Sequence, residues 1–279
     1  MGNYSYDVII VGAGPTGIFT ALELIYKSKN KLNILILEKG KDLEKRICPM
    51  NVNNTSCVKC NSCSIVSGWG GAGAFSDGKL SLSPEIGGNL HEYIGWERLA
   101  QYIEYADDIY LDFDAPDRIF GVDDGKLEEV KEKAIKAQLM FIPAKLRHLG
   151  TGYSQTVLQA MQDYLEEQGV EIQFDTNVKK LIVEKGKITG VKTGERNYIT
   201  AEYVVTAPGR ENAEWLSNEA KRLDINMTIN PVDIGVRVEC PSVITKELTD
   251  NIYESKLIYQ TPTFDDKVRT FCMSPYGQV

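Results

Sequence analysis

Residues 6–11 read Tyr6-Asp7-Val8-Ile9-Ile10-Val11 and run directly into Gly12-Ala13-Gly14-Pro15-Thr16-Gly17. The first run is apolar and β-branched, which is typical of a parallel strand buried on both faces. From Thr16 to Lys27 the apolar residues are spaced as on one face of a helix, and residues 32–37 resemble a second buried strand. A G-x-G-x-x-G sequence between a strand and a helix predicts a β-α-β dinucleotide-binding unit.

Each glycine of this motif has its own expected task. Gly12 permits the tight turn, Gly14 lets the backbone approach a pyrophosphate, and Gly17 lets the helix pack closely on the strand. The phosphates are expected at the helix N-terminus, where N–H groups favour anions. Glu38, 21 residues after Gly17, is expected to accept hydrogen bonds from ribose hydroxyls and to disfavour a 2′-phosphate. The predicted ligand contacts of the turn are Gly12, Ala13, Gly14, Pro15, Thr16 and Gly17.

The wording of this motif, with Glu38-Lys39 after the second strand, resembles FAD enzymes of the glutathione-reductase type. Two later segments also resemble these FAD enzymes: Thr176-Asn177-Val178 begins a predicted strand, and residues 204–209 end one. The resemblance implies that Val178 offers backbone groups to adenine and that the turn Ala207-Pro208-Gly209 passes close to the dinucleotide. An NAD-binding Rossmann dehydrogenase without flavin is the alternative.

A second glycine-rich run, residues 68–80, reads Gly-Trp-Gly-Gly-Ala-Gly-Ala-Phe-Ser-Asp-Gly-Lys-Leu. Small residues let a backbone lie against a flat ligand, and successive N–H groups form an anion-binding nest. We therefore expect this run to contact a flavin; a loop that only packs against the sheet is the alternative. The predicted contacts are Gly71, Gly73, Ala74, Ser76, Asp77 and Lys79.

Four of the six cysteines lie close together in the sequence, at Cys48, Cys57, Cys60 and Cys63. This clustering is unlike a disulfide framework spread over a small secreted fold. Thiolates two residues apart can wrap one ion, so the four predict a shared zinc or iron–sulfur centre. Reduced, unligated thiols or a redox-active pair are the alternative. The isolated Cys240 and Cys272 are expected to be packed rather than reactive.

Four further side chains are candidates for the site. Lys39 and Arg46 follow the second strand, where a cation meets phosphate or adenine-side groups; a solvent-facing position is the alternative. His148, in a glycine-containing loop before a helix, and Lys79 are the candidates for catalysis.

Composition and charge limit the classes of partner that the protein is expected to bind. The chain has 279 residues and a formal net charge of −8, from 31 basic and 39 acidic side chains. An acidic protein is poorly suited to phosphate backbones, so nucleic acid is not an expected partner and a flavin-dependent RNA-modifying enzyme is disfavoured. No apolar run approaches the roughly 20 residues that cross a bilayer, and a signal-peptide pattern is missing. We expect a cytoplasmic protein that acts on a small-molecule substrate or a redox partner; the oligomeric state stays open.

Several runs together resemble a family of poorly characterised bacterial and archaeal FAD-dependent dehydrogenases, often called NAD-utilising dehydrogenases. These runs are residues 68–80, Lys187–Val191, Asn230–Val238 and Phe271–Pro275. The resemblance covers essentially the whole chain and implies FAD-dependent oxidoreduction. The chain departs from the family at Ser274-Pro275-Tyr276-Gly277, where Cys-Pro-Gly-Gly usually stands. The sequence has no second G-x-G-x-x-G for NAD(P)H, so nicotinamide use rests on the resemblance alone.

These observations predict an α/β fold: a doubly wound, Rossmann-like FAD-binding domain with a partial second domain for substrate or cap. The predicted parts are 1–90 and 143–215 for FAD, a helical insertion at 91–142, and the partial domain at 216–279. The predicted function is FAD-dependent oxidoreduction by hydride or electron transfer at the flavin. A flavin and iron–sulfur electron-transfer protein without substrate turnover of its own is the alternative.

The end of the sequence carries one more expectation. FAD enzymes of this architecture usually close the flavin site with a late strand that ends in Gly-Asp, and no such segment follows Gly209. Residues 210–279 instead read as short strands and turns, and Phe271–Val279 stops in what reads as the middle of a hairpin. We therefore expect part of a longer protein, which alone keeps the fingerprint fold but holds FAD weakly or not at all.

Overall fold

The computed structural model describes residues 5–29, 31–150, 152–229 and 232–275. Within these ranges the chain forms twelve strands and eight α-helices. The strands are β1 (Tyr6–Val11), β2 (Ile34–Leu37), β3 (Lys79–Ser81), β4 (Ile119–Phe120), β5 (Met140–Ile142), β6 (Leu146–His148), β7 (Glu171–Gln173), β8 (Lys180–Glu184), β9 (Lys187–Lys192), β10 (Tyr198–Thr206), β11 (Lys256–Gln260) and β12 (Lys267–Arg269). The helices are α1 (Pro15–Ser28), α2 (Pro49–Asn53), α3 (His91–Ile94), α4 (Trp96–Asp112), α5 (Asp124–Lys136), α6 (Tyr153–Glu167), α7 (Ala213–Arg222) and α8 (Ser242–Ile252).

The chain divides into two compact units. Unit 1 comprises Met1–Ser76 and Gly152–Pro231, and unit 2 comprises Asp77–Thr151 and Val232–Val279. Unit 1 is therefore built from two separated stretches of chain, as is unit 2.

The sheet of unit 1 has the strand order β7-β2-β1-β10-β9-β8. Strands β7, β2, β1 and β10 run parallel; β9 pairs antiparallel with β10, and β8 pairs antiparallel with β9. In the middle, Val8 of β1 lies opposite Ile34 of β2 and Tyr203 of β10. The predicted β-α-β unit and the Rossmann-like α/β fold are confirmed.

Both faces of this sheet are covered. Ile9 and Leu35 belong to a buried cluster, against which Trp215 of α7 and Leu223 pack. On the other face, a Cβ built on Gly17 of α1 would lie 3.4 Å from the Cγ2 of Ile10. A strand that is buried on both sides needs apolar residues at every position, which explains the uninterrupted apolar runs of β1 and β2.

Unit 2 contains two small sheets within its described residues, with the orders β3-β6-β4 and β12-β11-β5. Arg147 of β6 is almost completely buried and holds Asp107 of α4 by two hydrogen bonds of 2.6 and 2.7 Å. Such a paired, planar contact fixes both direction and distance. It ties helix α4 to the sheet that carries Lys79 and His148.

The expectation of short strands and turns at residues 210–279 is met by β11 and β12, but helices α7 and α8 also lie there. Trp215 and Glu219 of α7 and Leu223 directly after it are spaced four residues apart; Glu219 is buried, and Trp215 and Leu223 pack against the buried cluster of unit 1. That spacing is a helix signal. Residues 230–231, which belong to the family resemblance, lie outside the described residues. So do residues 276–279, which include part of the departure from the family and the end of the expected hairpin.

Candidate functional site

A cavity of about 720 Å³ opens in unit 1 where β1, β2 and β10 end. The carboxyl ends of parallel strands are the usual ligand edge of such a sheet, and the volume is typical of small-molecule and cofactor sites. The predicted contact residues that line it are Gly12, Gly14, Pro15, Glu38, Lys39, Gly71, Gly73, Val178, Ala207, Pro208 and Gly209. The fold thus brings segments that are far apart in the sequence together around one cavity.

The three fingerprint glycines are needed for different reasons. Gly12 has a φ of +106°, and a Cβ there would lie 2.2 Å from the carbonyl oxygen of Ala207. A Cβ on Gly17 would lie 1.9 Å from the carbonyl oxygen of Gly12. Gly14 has ordinary backbone angles, and the nearest atom to its Cβ would be 3.9 Å away. The fold requires Gly12 and Gly17, but nothing in the described part of the chain requires a glycine at position 14.

The N-terminus of α1 also faces this cavity. Gly14 and Pro15 are on its wall, and no described side chain caps the helix at Gly14. The first turn carries no acidic residue. The positive end of the helix dipole therefore lacks a compensating charge from its own turn, which suits an anionic group. Ala13, Thr16 and Gly17 are not among the described residues of the wall.

Glu38 makes hydrogen bonds within the protein that the sequence analysis did not predict. Its buried carboxylate accepts hydrogen bonds from the backbone N–H groups of Ala13 at 2.8 Å, Gly40 at 2.7 Å and Gly68 at 3.0 Å. These bonds join the fingerprint turn, the end of β2 and the start of the second glycine-rich run. Glu38 still lines the cavity, so it positions the site whether or not it also meets a ribose.

Arg46 is not among the described residues that line the cavity. It therefore occupies neither of the two predicted positions, beside a phosphate or adenine-side group in this cavity or facing the solvent. It is buried, and its guanidinium donates to the carbonyl oxygens of Ser64, Ile65 and Trp69. It also lies 4.7 Å over the ring of Phe75. Burial lowers the pKa of Arg46 to about 10. Its planar fork suits several carbonyls at once, so it holds residues 64–75 in place.

Lys39 meets a group of residues that the sequence analysis missed. Its ammonium lies 3.0 Å from the Oδ1 of Asn212 and 3.1 Å from the Oε1 of Glu211. The other oxygen of Glu211 accepts a hydrogen bond from the hydroxyl of Ser67. Arg210 through Asn212 lie on the cavity wall beside Trp215. The helical spacing of α7 was the available signal, because it places these residues just ahead of a helix that packs on the sheet.

The second glycine-rich run contributes only in part to the cavity. Residues Gly71–Phe75 form a short 3₁₀ helix, in which Gly71 and Gly73 line the wall and Ala74 is buried. The hydroxyl of Ser76 donates to the carbonyl oxygen of Gly73 at 2.8 Å. Asp77 and Lys79 belong to unit 2 and are not among the described residues that line this cavity.

The cysteines of the loop do not form a shared centre in this structure. Cys57 and Cys60 are exposed, Cys48 and Cys63 are half-buried, and all are free. Across the described ranges, no three His, Cys, Asp or Glu side chains form a group that would hold a metal ion. The donor set predicted for zinc or an iron–sulfur cluster is therefore not assembled, and no step is assigned to a metal.

His148 and Lys79 lie together because strands β3 and β6 pair in a register that puts them opposite each other. The Nε2 of His148 lies 3.2 Å from the Oδ1 of Asp77 and 2.9 Å from the hydroxyl of Tyr253. That hydroxyl donates to the Oδ2 of Asp77 at 2.9 Å. Burial and the Asp77 carboxylate raise the pKa of Tyr253, so the phenol stays protonated. Lys79 binds Glu254 at 2.7 Å.

Tyr253 is held in an unusual backbone conformation, with φ 62° and ψ −56°. The N–H of Glu254 donates to the carbonyl oxygen of Ile252 at 2.7 Å, which closes a γ-turn around Tyr253. This form of the γ-turn is rare and strained for a residue with a side chain. No sequence pattern predicts this γ-turn, and the sequence analysis missed both Tyr253 and Glu254.

Comparison with known proteins gives one family and one relative. The family described as pyridine nucleotide-disulphide oxidoreductase matches residues 131–244, less than half of the chain. An uncharacterized protein of Clostridium beijerinckii is 26% identical over 288 residues, covering 97% of this chain and 45% of that protein. The chain thus spans less than half the length of this relative.

Solved structures with a similar backbone include oxidases, deaminases and dehydrogenases. A 3-ketosteroid dehydrogenase from Rhodococcus jostii RHA1 is 18% identical, with 80% of this chain and 50% of that chain covered and a TM-score of 0.46. Glycine oxidase from Bacillus cereus is 18% identical, with 77% of this chain and 59% of that chain covered and a TM-score of 0.44. L-amino acid deaminase from Proteus vulgaris is 17% identical, with 81% of this chain and 51% of that chain covered and a TM-score of 0.46.

Among the helices of the described ranges, none combines the length and apolar character needed to cross a membrane.

Proposed function

We propose that unit 1 binds FAD in its cavity and that the protein is an FAD-dependent oxidoreductase acting on a small-molecule substrate. The observation that carries the proposal is Gly14. Neither its backbone angles nor its neighbours require glycine, yet it stands on the cavity wall at the uncapped N-terminus of α1. A dinucleotide pyrophosphate that lies against this backbone would supply the missing reason.

The residues present fit such a cofactor. Gly14 and the first turn of α1 would hold the pyrophosphate, and Glu38 would fix the turn and limit the space for a 2′-phosphate. Val178 would offer backbone groups to adenine, and the run Gly71–Gly73 would support the flavin. FAD supplies hydride or electron transfer at its isoalloxazine ring when bound.

The match of residues 131–244 to the pyridine nucleotide-disulphide oxidoreductase family supports this assignment of chemistry. The family description also motivates NAD(P)H as a second substrate. Since the chain spans only part of its relative, FAD affinity, substrate and redox partner of the whole protein are all part of the proposal.

Titration of FAD, NAD and NADP into the cofactor-free protein tests the site. The wild type is expected to bind FAD more tightly than either nicotinamide nucleotide. Gly14→Asp is expected to weaken FAD binding at least about tenfold, because it sets a carboxylate against the pyrophosphate. Gly88→Asp is the matched control, since it adds the same charge at an open position with nothing within 4 Å of its Cβ.

Two results would overturn the assignment. Equal FAD affinity in the wild type and Gly14→Asp, with unchanged circular dichroism, would place the cofactor elsewhere. Binding of NAD but not FAD would favour the flavin-free dehydrogenase. An absorption spectrum of protein purified without oxygen reads flavin and any iron–sulfur cluster in one measurement.

A further inference from the structure

Residues 232–239 form an exposed segment of unit 2. The segment belongs to neither a helix nor a strand, and its backbone makes no hydrogen bond with the backbone of any described residue. Four of its side chains are large, apolar and almost fully exposed: Val232 at 81%, Ile234 at 93%, Val236 at 89% and Val238 at 76%. Cys240, directly after the segment, is also exposed, which contradicts the expectation that it is packed. Such a contiguous exposed apolar patch is typical of an interaction surface.

The sequence of the 232–239 segment is that of a strand. It reads Val-Asp-Ile-Gly-Val-Arg-Val-Glu, so apolar residues alternate with glycine or charged residues. Alternation with a period of two predicts a strand, in which all four apolar side chains share one face. A strand without a neighbour presents a row of unpaired N–H and C=O groups that favours pairing with another chain. The segment therefore has both the side chains and the backbone of a strand that lacks its partner.

The charges of the segment are symmetric about Gly235. Asp233 and Arg237 each lie two residues from it, on opposite sides. If two copies pair antiparallel with Gly235 on the two-fold axis, Asp233 of each copy lies opposite Arg237 of the other, and Ile234 lies opposite Val236. Opposite charges and β-branched residues that face each other stabilise an antiparallel pair. In a parallel pair of the same register, like charges would face each other instead.

Both charged groups are available to a second copy. Arg237 is exposed and has no hydrogen-bond or ion-pair partner among the described residues. The Oδ2 of Asp233 binds Arg269 at 2.6 Å, but the side chain of Asp233 stays 79% exposed. A carboxylate accepts several hydrogen bonds, so its Oδ1 remains open to a second guanidinium.

Gly235 agrees with a close approach of another backbone. A Cβ built on it would meet nothing within 4 Å, and its φ lies outside the left-handed region. The described part of the chain therefore gives no reason for a glycine at this position. A glycine inside a strand pattern often marks the place where another backbone comes close. On the proposed axis, two copies of Gly235 would face each other.

We propose that two copies of this chain associate through the 232–239 segment, as an antiparallel pair of strands centred on Gly235. The interface is isologous, because the same surface of each copy contacts the other. Backbone hydrogen bonds join the strands, and the two Asp233–Arg237 pairs set the register. A two-stranded ribbon is only marginally stable by itself, so the dimer is weak and reversible, with a dissociation constant in the micromolar range. The proposal does not involve the FAD site of unit 1.

Sedimentation velocity over a micromolar concentration series tests the proposal. The wild type is expected to shift from monomer to dimer as the concentration rises. Asp233→Arg and Arg237→Asp are each expected to weaken the dimer about tenfold, because each change sets like charges opposite each other at two symmetric places. Glu239→Arg is the matched control, since it reverses a charge of the same segment outside these pairs and is expected to leave the dimer unchanged.

Mixing the two variants tests the register directly. Asp233→Arg carries arginine at both positions and Arg237→Asp carries aspartate at both, so a heterodimer of the two restores every opposite-charge pair. We expect the mixture to associate as tightly as the wild type, and the double variant Asp233→Arg/Arg237→Asp to do the same. Arg237→Asp keeps the contact between Asp233 and Arg269, which separates the dimer from that ion pair. Hydrogen exchange of the amides in residues 232–239 is expected to slow as the dimer forms.

A wild type that stays monomeric throughout the series would overturn the proposal and leave the segment to a different partner. A dimer that is insensitive to both single variants would also overturn it, because another surface would then hold the copies together. Loss of the dimer in the single variants without recovery in their mixture would exclude the register centred on Gly235. Circular dichroism of each variant checks that its fold is retained.

Discussion

Glu38 and Ala13 are joined by a hydrogen bond of 2.8 Å, from the backbone N–H of Ala13 to the carboxylate of Glu38. The end of β2 therefore holds the turn between β1 and α1. Because that turn forms one wall of the cavity, the same carboxylate serves both folding and ligand binding. Glu38 cannot be assigned to a ribose alone, as the sequence pattern suggested.

Replacement of Glu38 should reveal this double role. Glu38→Ala leaves the N–H groups of Ala13, Gly40 and Gly68 without their acceptor, so the free energy of unfolding of unit 1 is expected to fall by about 2–3 kcal/mol. Urea denaturation followed by circular dichroism measures it. Glu44→Ala, at an exposed carboxylate, is the control and should change it by less than about 0.5 kcal/mol. Equal midpoints for the two variants would contradict the hydrogen bonds described.

Gly14 and Gly17 should respond differently to the same small change. Gly14→Ala is expected to keep the free energy of unfolding within about 1 kcal/mol, because the new Cβ has room in the protein, but to weaken FAD binding. Gly17→Ala is expected to lower stability by about 1–3 kcal/mol through overpacking against the Gly12 carbonyl. Thermal melting with and without FAD distinguishes the two effects. Loss of folding in Gly14→Ala would mean that this glycine is structural.

Arg46 should control the order of residues 64–75. Arg46→Ala removes the donors to the carbonyls of Ser64, Ile65 and Trp69, with an expected loss of about 3 kcal/mol and faster proteolysis within this segment. Arg46→Lys keeps the charge but not the planar fork, so rescue should be partial. Limited proteolysis with mass spectrometry maps the cuts. Arg196→Ala, at an exposed arginine, serves as the control, and an identical cleavage pattern in Arg46→Ala would refute the role.

Glu219 gives the stability of unit 1 a pH dependence on the acid side. Burial raises its pKa, but hydrogen bonds from Arg222 and from the N–H of Leu181 outweigh burial, and the pKa is lowered below 4.5. The resulting stabilisation is fully present above pH 4.5 and is lost as the pH falls through the folded-state pKa. Wild type should thus exceed Glu219→Gln in urea midpoint at pH 7, and the difference should shrink at pH 3.5.

The exposed Glu214 of the same helix provides the comparison. Glu214→Gln should follow the wild type at both pH values. A difference between wild type and Glu219→Gln that is the same at pH 7 and pH 3.5 would show that Glu219 does not titrate in this range.

The sequence predicted those parts of the fold that depend on local pattern. The strand from Tyr6, the helix after Gly14 and the strand before Glu38 follow from apolar spacing and glycine placement, so the Rossmann-like core was accessible. Helix α7 was missed although its spacing was present, because it is only ten residues long and few of its side chains are buried. Because the helix was not predicted, the position of Glu211 on the cavity wall just before it was not predicted either.

Contacts between distant segments were beyond the sequence. Nothing in the local pattern says that Arg46 would bind three carbonyls, since a basic residue after a strand fits a phosphate equally well. The same holds for Cys272, which was expected to be packed but is exposed, and whose Sγ lies 2.9 Å from the Nζ of Lys79, nearly two hundred residues away. Tyr253 is a further case, because its γ-turn is imposed by tertiary packing against the preference of its own backbone.

The pairing of β1 with β10 has a consequence for synthesis of the protein. Tyr6 lies opposite Ala201, so one edge of β1 has no native partner until most of the described chain has left the ribosome. At about 5–20 residues per second, this delay lasts roughly 10–40 s. Throughout it the run Val8–Val11 presents an apolar, hydrogen-bonding edge of the kind that templates aggregation. Yield in a cell will therefore depend on translation speed and chaperone supply as well as on the stability of the finished sheet.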